Sequence, residues 1–164
     1  MKNKTTLHIP EFFNSPLCIE ETNGALTRIH LSPEDPSHRW PKTQISSSPI
    51  LIEAAEQFLA YFKGKLRHFD LPYSLKGPAF YQSVWQELRA IPFGTTQSYG
   101  QVAAALGNPK AVRAVGTANR LNPLPILIPC HRVTKKGQNS ARIYSLGGVT
   151  TQIKLLALEN NGAI

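Results

Sequence analysis

The chain is poor in cysteine, in long apolar runs and, over its second half, in acidic residues. Each shortage excludes something. Two cysteines in 164 residues, Cys18 and Cys130, cannot build a disulfide framework, and neither stands in a CxxC or paired Cys/His zinc pattern. Reduced thiols and an intracellular setting are expected, cytoplasmic or, in a eukaryote, nuclear. No apolar run reaches the ~18 residues of a membrane span, and "MKNKTTLHIPEFFNSPL" gives no sign of a secretory signal's apolar stretch. With 41% hydrophobic and 17% charged residues the composition is that of an ordinary folded protein, not a disordered one. One or two small domains with a real core fit this length.

The scarcity of acids is local. Residues 1–78 hold 9 Lys/Arg and 8 Asp/Glu, whereas residues 79–164 hold 9 against two, Glu87 and Glu159. Nearly all of the formal charge of +8 therefore sits in the second half. Such an imbalance suits a polyanion such as nucleic acid, although solubility alone would also account for it.

What is present reads as short elements with clear stops. "PLCIEETNGALTRIHL" (16–31) predicts two strands around Asn23-Gly24, a strong hairpin signal, followed by a loop rich in Ser, Pro and Asp. "SSPILIEAAEQFLAYFKG" predicts an amphipathic helix with Ser48 as N-cap, Pro49 in first position and Gly64 as stop. Its stripe is Leu51, Ala55, Phe58, Leu59 and Phe62. Residues 65–78 read as a strand plus linker, and the domain boundary is expected there. A second amphipathic helix buries Phe80, Val84, Leu88 and Ile91, and stops at Pro92-Phe93-Gly94. "SYGQ" (98–101) fits a capping box that opens a third helix, ending at Gly107. A fourth is expected to start at once, with Asn108 as N-cap and Pro109 next. Two helices joined by so tight a turn follow helix-turn-helix grammar. On the fourth, Ala111, Ala114, Val115, Ala118 and Leu121 form the inner face. Lys110, Arg113, Thr117 and Arg120 form an outer face without an acid, suited to DNA contact.

"NPLPILIPCHRV" then leads through three prolines into an expected short apolar strand, ending at Cys130. A thiol becomes a nucleophile when cations or a base lower its pKa, and His131 and Arg132 are both adjacent. A half-buried thiol closing a strand is the plainer alternative. On the last helix, Val149, Ile153 and Leu156 form the expected stripe, with Glu159 on its edge. A carboxylate there can orient an imidazole; equally it can be an exposed glutamate.

"FYQSVWQELRAIPFGTTQSY", "YGQVAAALGNPKAVRAVGTANRLNP" and "IPCHRV" together resemble the O6-alkylguanine-DNA alkyltransferase family, the methylated-DNA–protein-cysteine methyltransferases. The likeness is near-continuous from Phe80 to Val133 and resumes at "YSLGG" and "LLALE". The first half resembles it in layout alone. The resemblance implies an α+β fold: an N-terminal α/β unit of ribonuclease-H-like layout (1–75), then a mostly helical helix-turn-helix unit (76–164) carrying the cysteine. It implies a direct-reversal DNA repair enzyme, a monomer on double-stranded DNA with cooperative binding left open, and no cofactor, metal or membrane partner. The alkyl group on O6 of guanine, and by extension O4 of thymine, would pass once per molecule to Cys130 from a base turned out of the duplex.

Roles follow by the same resemblance. His131 would be the water-linked base, Glu159 its polarising carboxylate, and Asn122 the brace of the preceding turn. Arg113 would fill the space the base leaves, with Lys110, Thr117 and Arg120 beside it on DNA. Tyr99, Val133, Tyr144, Ser145 and Leu146 would line the pocket, and the carbonyls of Cys130 and Val133 would accept from the guanine amine. Two departures stand out. Leu146 is an extra residue in "YSLGG", and Gln152 occupies the place of a usual lysine, so that part of the last helix's anchoring is expected to be lost unless Lys154 replaces it. Cys18, His8, His30, His38 and His68 do not reproduce the zinc site of human-type members. A lesion-binding alkyltransferase-like protein is the alternative, opposed by Cys130; a thiol hydrolase is a weaker one. Replacing Glu159 by Gln is expected to spare the fold, as the edge of a helix would allow.

Overall fold

The computed structural model describes residues 2–32, 46–141 and 143–161. The expected Ser/Pro/Asp-rich loop lies largely outside them. Three antiparallel strands, β1 (Lys2–Leu7), β2 (Leu17–Thr22) and β3 (Ala25–Leu31), pair in the order β1-β2-β3. The Asn23-Gly24 hairpin is where the dipeptide predicts it. Asn23 has φ 54° and Gly24 φ 76°, the doubled positive φ that a tight two-residue hairpin turn demands. Strand β1 is an addition to the sequence reading, because "KNKTTL" has little apolar content and its burial comes from α1 and β2 lying against it.

Helix α1 (Pro49–Phe62) starts at Ser48 and stops before Gly64 as expected. The Ser48 hydroxyl does not cap the helix, however; it donates to Glu21 Oε1 at 3.2 Å. The buried face includes Leu51, Ala54, Ala55, Phe58, Tyr61 and Phe62, so Tyr61 belongs to it and the half-buried Leu59 does not. Of the strand expected in 65–78, a single bridge remains, Tyr73 to Leu26, with Leu26 N donating to Pro72 O and Ser74 N to Leu26 O.

Helix α2 (Ala79–Ala90) buries Val84, Trp85 and Leu88, and Ile91 closes it. The two-residue strand β4 (Gln97–Ser98) leads into α3 (Tyr99–Ala105), whose capping box is complete: Gln101 N donates to Ser98 Oγ and Ser98 N to the Gln101 side chain. Helix α4 (Val112–Arg120) is shorter than expected. Asn108 and Pro109 form a turn instead of its first turn, with Ala111 N donating to Asn108 O at 3.0 Å, and Ala111 is the N-cap. Its inner face is Val115, Ala118 and Asn119; Ala114 and Leu121 are exposed. The Trp85 indole donates to Ala118 O at 2.8 Å, tying α2 to α4.

Two further expectations fail. Residues 124–129 form turns, not a strand, and Cys130–Arg132 is one turn of 3₁₀-helix followed by β5 (Val133–Thr134), which pairs with β4 in parallel. Helix α5 (Gly148–Asn161) buries Thr151, Gln152, Leu155, Leu156, Leu158 and Glu159, while Ile153 is 51% exposed. Glu159 lies at the centre of the packed face, not at its border. Three prolines keep 123–129 from pairing as a ladder, and the turn that follows meets α5 through His131, Arg132 and Val133. Buried residues of both halves form one continuous cluster, from Leu7 and Phe58 to Cys130 and Leu158.

Candidate active site and DNA-facing surface

The turn that delivers Cys130 is braced from within. Asn122 Nδ2 donates to Ile128 O at 2.8 Å, and its Oδ1 accepts from Leu124 N at 3.0 Å. Ile128 N closes on Leu124 O, and Cys130 N on Ile128 O at 2.7 Å. Ile126, buried between them, has φ 74°. A β-branched residue in that region is strained and persists only where its surroundings fix it. One asparagine holding both ends of the turn supplies that fixation.

Cys130 is buried, and burial pushes its thiol up to about 11. The Asn122 amide and the Tyr144 hydroxyl act on the thiol in the opposite sense without overcoming it. At neutral pH the resting group is a thiol. Arg132 does not face it. Its guanidinium grips Glu159, Nε to Oε2 and Nη2 to Oε1, both at 2.9 Å, and Nη1 donates to Ile91 O at 2.7 Å. The cation expected to activate the cysteine is committed to the carboxylate instead.

Glu159 collects donors from three parts of the chain. Oε1 takes His131 Nε2 and the Tyr61 hydroxyl, each at 2.7 Å, besides Arg132. Oε2 takes Gly94 N at 3.1 Å besides Arg132. Gly94 has φ 75°, and a Cβ there would stand 3.3 Å from Glu159 O, so the donor comes from a residue that tolerates both the conformation and the approach. Burial alone would raise the Glu159 carboxyl, but hydrogen bonds and charge from His131 and Arg132 hold it well below the usual carboxylate range. Burial lowers the His131 imidazole, an effect the Glu159 hydrogen bond and charge only partly offset and Arg132 reinforces. The imidazole is thus neutral at neutral pH, with its proton on Nε2 facing Glu159. Its buried Nδ1 has no hydrogen-bond partner among the described residues.

Gln152 corrects an expectation. It is wholly buried, and its Nε2 donates to the carbonyls of His131 and Val133 at 3.0 and 3.1 Å while Oε1 accepts from Ala141 N at 2.8 Å. The anchoring expected to be lost at this position is present as a three-bond clamp on the active-site turn. Lys154 reaches Glu11 O at 2.8 Å and serves a different contact.

The remaining site residues fall into two hollows. Tyr99, Gly116, Asn119 and Lys135 border a cavity of about 280 Å³, close to the smallest size usual for small-molecule pockets. Burial raises the Tyr99 phenol, and Cys130 adds to the effect. Ser145 and Leu146 line a larger cleft of about 500 Å³ with Asn122, Pro125 and Arg28. Arg120 borders both. Leu146 is buried and Ser145 exposed, so the extra leucine packs inward. Tyr144 is buried beside Cys130, and Val133 is buried with its carbonyl held by Gln152. On α4, Arg113 and Arg120 are exposed, as is Lys110 in the turn before it. Thr117 Oγ1 donates to its own helix at Arg113 O.

The profile of the 6-O-methylguanine DNA methyltransferase DNA-binding domain matches residues 79–161. The constitutive methylated-DNA–protein-cysteine methyltransferase of Bacillus subtilis (strain 168) is 47% identical over 149 residues, covering 87% of this chain and 86% of that one. The chain belongs to the methylated-DNA–protein-cysteine methyltransferases. The Mycobacterium leprae methyltransferase is 46% identical over 149 residues, with 89% and 87% covered. The crystal structure of the Mycobacterium tuberculosis O6-methylguanine methyltransferase superposes with a TM-score of 0.80 at 35% identity, covering 100% of this chain and 96% of that one. That enzyme's complex with DNA superposes at 0.77 and 34%, with 98% and 94% covered. The resemblance read from the motifs thus holds over nearly the whole methyltransferase chain, the first half included.

Sequence pattern does not single out Tyr61. It sits in an apolar helix stripe where a tyrosine and a phenylalanine are interchangeable by pattern. Only its phase, between Phe58 and Phe62 on the buried face, could have drawn attention to a hydroxyl that needs a partner.

Proposed function

We propose that this methyltransferase repairs duplex DNA by moving a methyl or larger alkyl group from O6 of guanine, and from O4 of thymine, to Cys130, once per molecule. Residues 76–164 carry the chemistry and residues 1–75 support it from outside. The observation that carries this reading is the buried chain of contacts from Cys130 through its own 3₁₀ turn to His131 and Glu159. A neutral imidazole whose Nε2 is tied to a carboxylate leaves Nδ1 as the base. The thiol proton passes to it through a water as the sulfur attacks the alkyl carbon. The S–C bond forms as the C–O6 bond breaks, and the proton ends on N1 of the released guanine. A thiol held at about 11 is inert at rest, so the thiolate arises only when a substrate carbon is in place. The thioether has no ready leaving group, which makes the reaction single-turnover.

A base stacked in a duplex cannot reach a buried thiol, so the base must be turned out. The cavity beside Tyr99 would receive it, and Arg113, projecting free from α4, would occupy its place in the stack. Lys110 and Arg120 would contact phosphates. The α3–α4 pair acts here as a helix-turn-helix. After incubation with a methylated duplex oligonucleotide, intact-protein and peptide masses are expected to show one added methyl on Cys130 and none on Cys18. Cys130→Ala should bind the lesion and leave it unrepaired; transfer persisting in that variant would remove the acceptor.

A further inference from the structure

We propose that Tyr61, on helix α1 of the N-terminal half, is a positioning residue of the transfer site, its hydroxyl holding the Glu159 carboxylate in register with His131. The inference rests on the reading of Cys130, His131 and Glu159 given above.

The ring of Tyr61 packs among Phe62, Phe69 and Phe93, with centroids 5.4, 5.3 and 6.3 Å away. A phenylalanine would fill the same space, so packing does not explain the oxygen. That oxygen is 2.7 Å from Glu159 Oε1 and 3.4 Å from His131 Nε2, across 98 residues of sequence. Nor does Glu159 lack donors, since Arg132, His131 and Gly94 already serve both of its oxygens. What the hydroxyl adds is competition. It shares Oε1 with His131, and a carboxylate oxygen that also accepts from a phenol has less charge to offer the imidazole. It also fixes the carboxylate from a helix of the other half of the chain, at the same oxygen that His131 uses.

The groups facing this point are Cys130 and Arg132 from the turn, Tyr144 from the loop before α5, Glu159 from α5 and Tyr61 itself. Burial lifts both phenols well above their ordinary value. His131, its imidazole lowered by burial, is the group whose protonation the Tyr61 hydroxyl can shift through Glu159. Without the Tyr61 hydroxyl, Glu159 Oε1 acts more fully on His131 Nε2–H, and the protonated imidazole gains. Protonated His131 cannot accept the thiol proton. The acid limb of the transfer rate must therefore move to higher pH.

The test uses the full chain, wild type and Tyr61→Phe, with saturating duplex containing O6-methylguanine. Single-turnover transfer is followed by the mass of the Cys130 peptide from about pH 5 to about pH 8. Titration of His131 by nitrogen NMR and the duplex Kd are measured alongside. Expected are an unchanged Kd, a limb and an imidazole pKa both raised by about half to one unit, and transfer at the foot of the acid limb slower by about three- to tenfold. A uniform slowing with an unmoved limb and imidazole would reduce Tyr61 to a packing residue and overturn the proposal, as would no change or a downward shift. A wild type that places no methyl on Cys130 would overturn the reading of the site itself, a different and separable failure. Tyr61→Ala would empty a ring-sized space in the core, which is why the phenylalanine variant decides.

Discussion

Helix α4 and the Cys130 turn lie close in sequence and treat charge in opposite ways. On α4 and the turn before it, Lys110, Arg113 and Arg120 stand in solvent, with no ion pair among the described residues. On the active-site turn Arg132 is 7% exposed, and its charge is matched by a carboxylate that two further side chains and a backbone amide also hold. The first arrangement keeps charge available for a partner. The second removes charge from water and fixes it, so that a neutral imidazole can sit beside a neutral thiol. Under the proposed function, removing a cation of the first kind should spare the fold and touch DNA handling alone, whereas removing a group of the second kind should cost both fold and transfer.

The sharpest way to break that contrast is Glu159→Gln. Breaking a buried ion pair from one side leaves an uncompensated charge, here Arg132, at a cost of about 3–5 kcal/mol. Chemical denaturation should show that loss, together with transfer slowed by several orders of magnitude. The acid response checks the same point. His131 is held below its ordinary value, so its share of stability is complete above about pH 6.5 and is lost as pH falls through that range. Glu159 is held lower still than a free carboxyl, so its share is lost only below about pH 4.5. Wild type should therefore lose stability in two acid steps, and Glu159→Gln should lack the lower one.

Next in size is the clamp. Gln152→Ala strips a donor from the carbonyls of His131 and Val133 and the acceptor from Ala141 N, leaving buried groups unpaired at about 1–3 kcal/mol each. A loss of about 3 kcal/mol or more in stability and slower transfer are expected, read by denaturation and single-turnover kinetics. Gln152→Lys separates the parts: an ammonium can serve both carbonyls but cannot accept from Ala141 N, so it should recover most of the rate and less of the stability.

The same contrast explains what could be read from residues alone. The hairpin at Asn23-Gly24, the Ser98 capping box and the basic face of α4 are local patterns, and each is where it was expected apart from the shortened start of α4. The likeness around "IPCHRV" pointed to the cysteine, the histidine and the distant glutamate. Their environment was not legible. Periodicity placed Glu159 at the edge of a stripe because a glutamate is scored as polar, yet a packed face will take a carboxylate when Arg132, His131, Tyr61 and Gly94 all meet it. Those four come from three separate segments, and no window of sequence contains them together. For the same reason the role of Gln152 was read from a missing lysine and Tyr61 went unseen.

Arg113→Ala probes the exposed side. It should leave stability within about 0.5 kcal/mol, as removal of a solvated side chain does. Transfer from O6-methylguanine in duplex should slow by about one to two orders of magnitude, while transfer from the free base O6-benzylguanine stays near wild type, because the free base has no stack to leave. Equal slowing on both substrates would remove Arg113 from base turning.

The smallest effect is expected from Lys110→Ala, and its form matters more than its size. Lys110 stands in the turn before α4, outside the stretch from Arg113 to Arg120, where a long flexible cation meets a phosphate as a point charge. A single phosphate contact contributes about one unit to the slope of log K against log salt, independent of sequence and of the lesion. Duplex affinity measured between low and moderate salt should therefore fall only several-fold, equally for methylated and unmodified DNA, with the slope reduced by about one. The transfer rate at saturating DNA should not change. A loss confined to methylated duplex would instead place Lys110 at the turned-out base, and the division between a solvated cationic face that holds DNA and a buried turn that does the chemistry would then need redrawing around the turn at Asn108–Ala111.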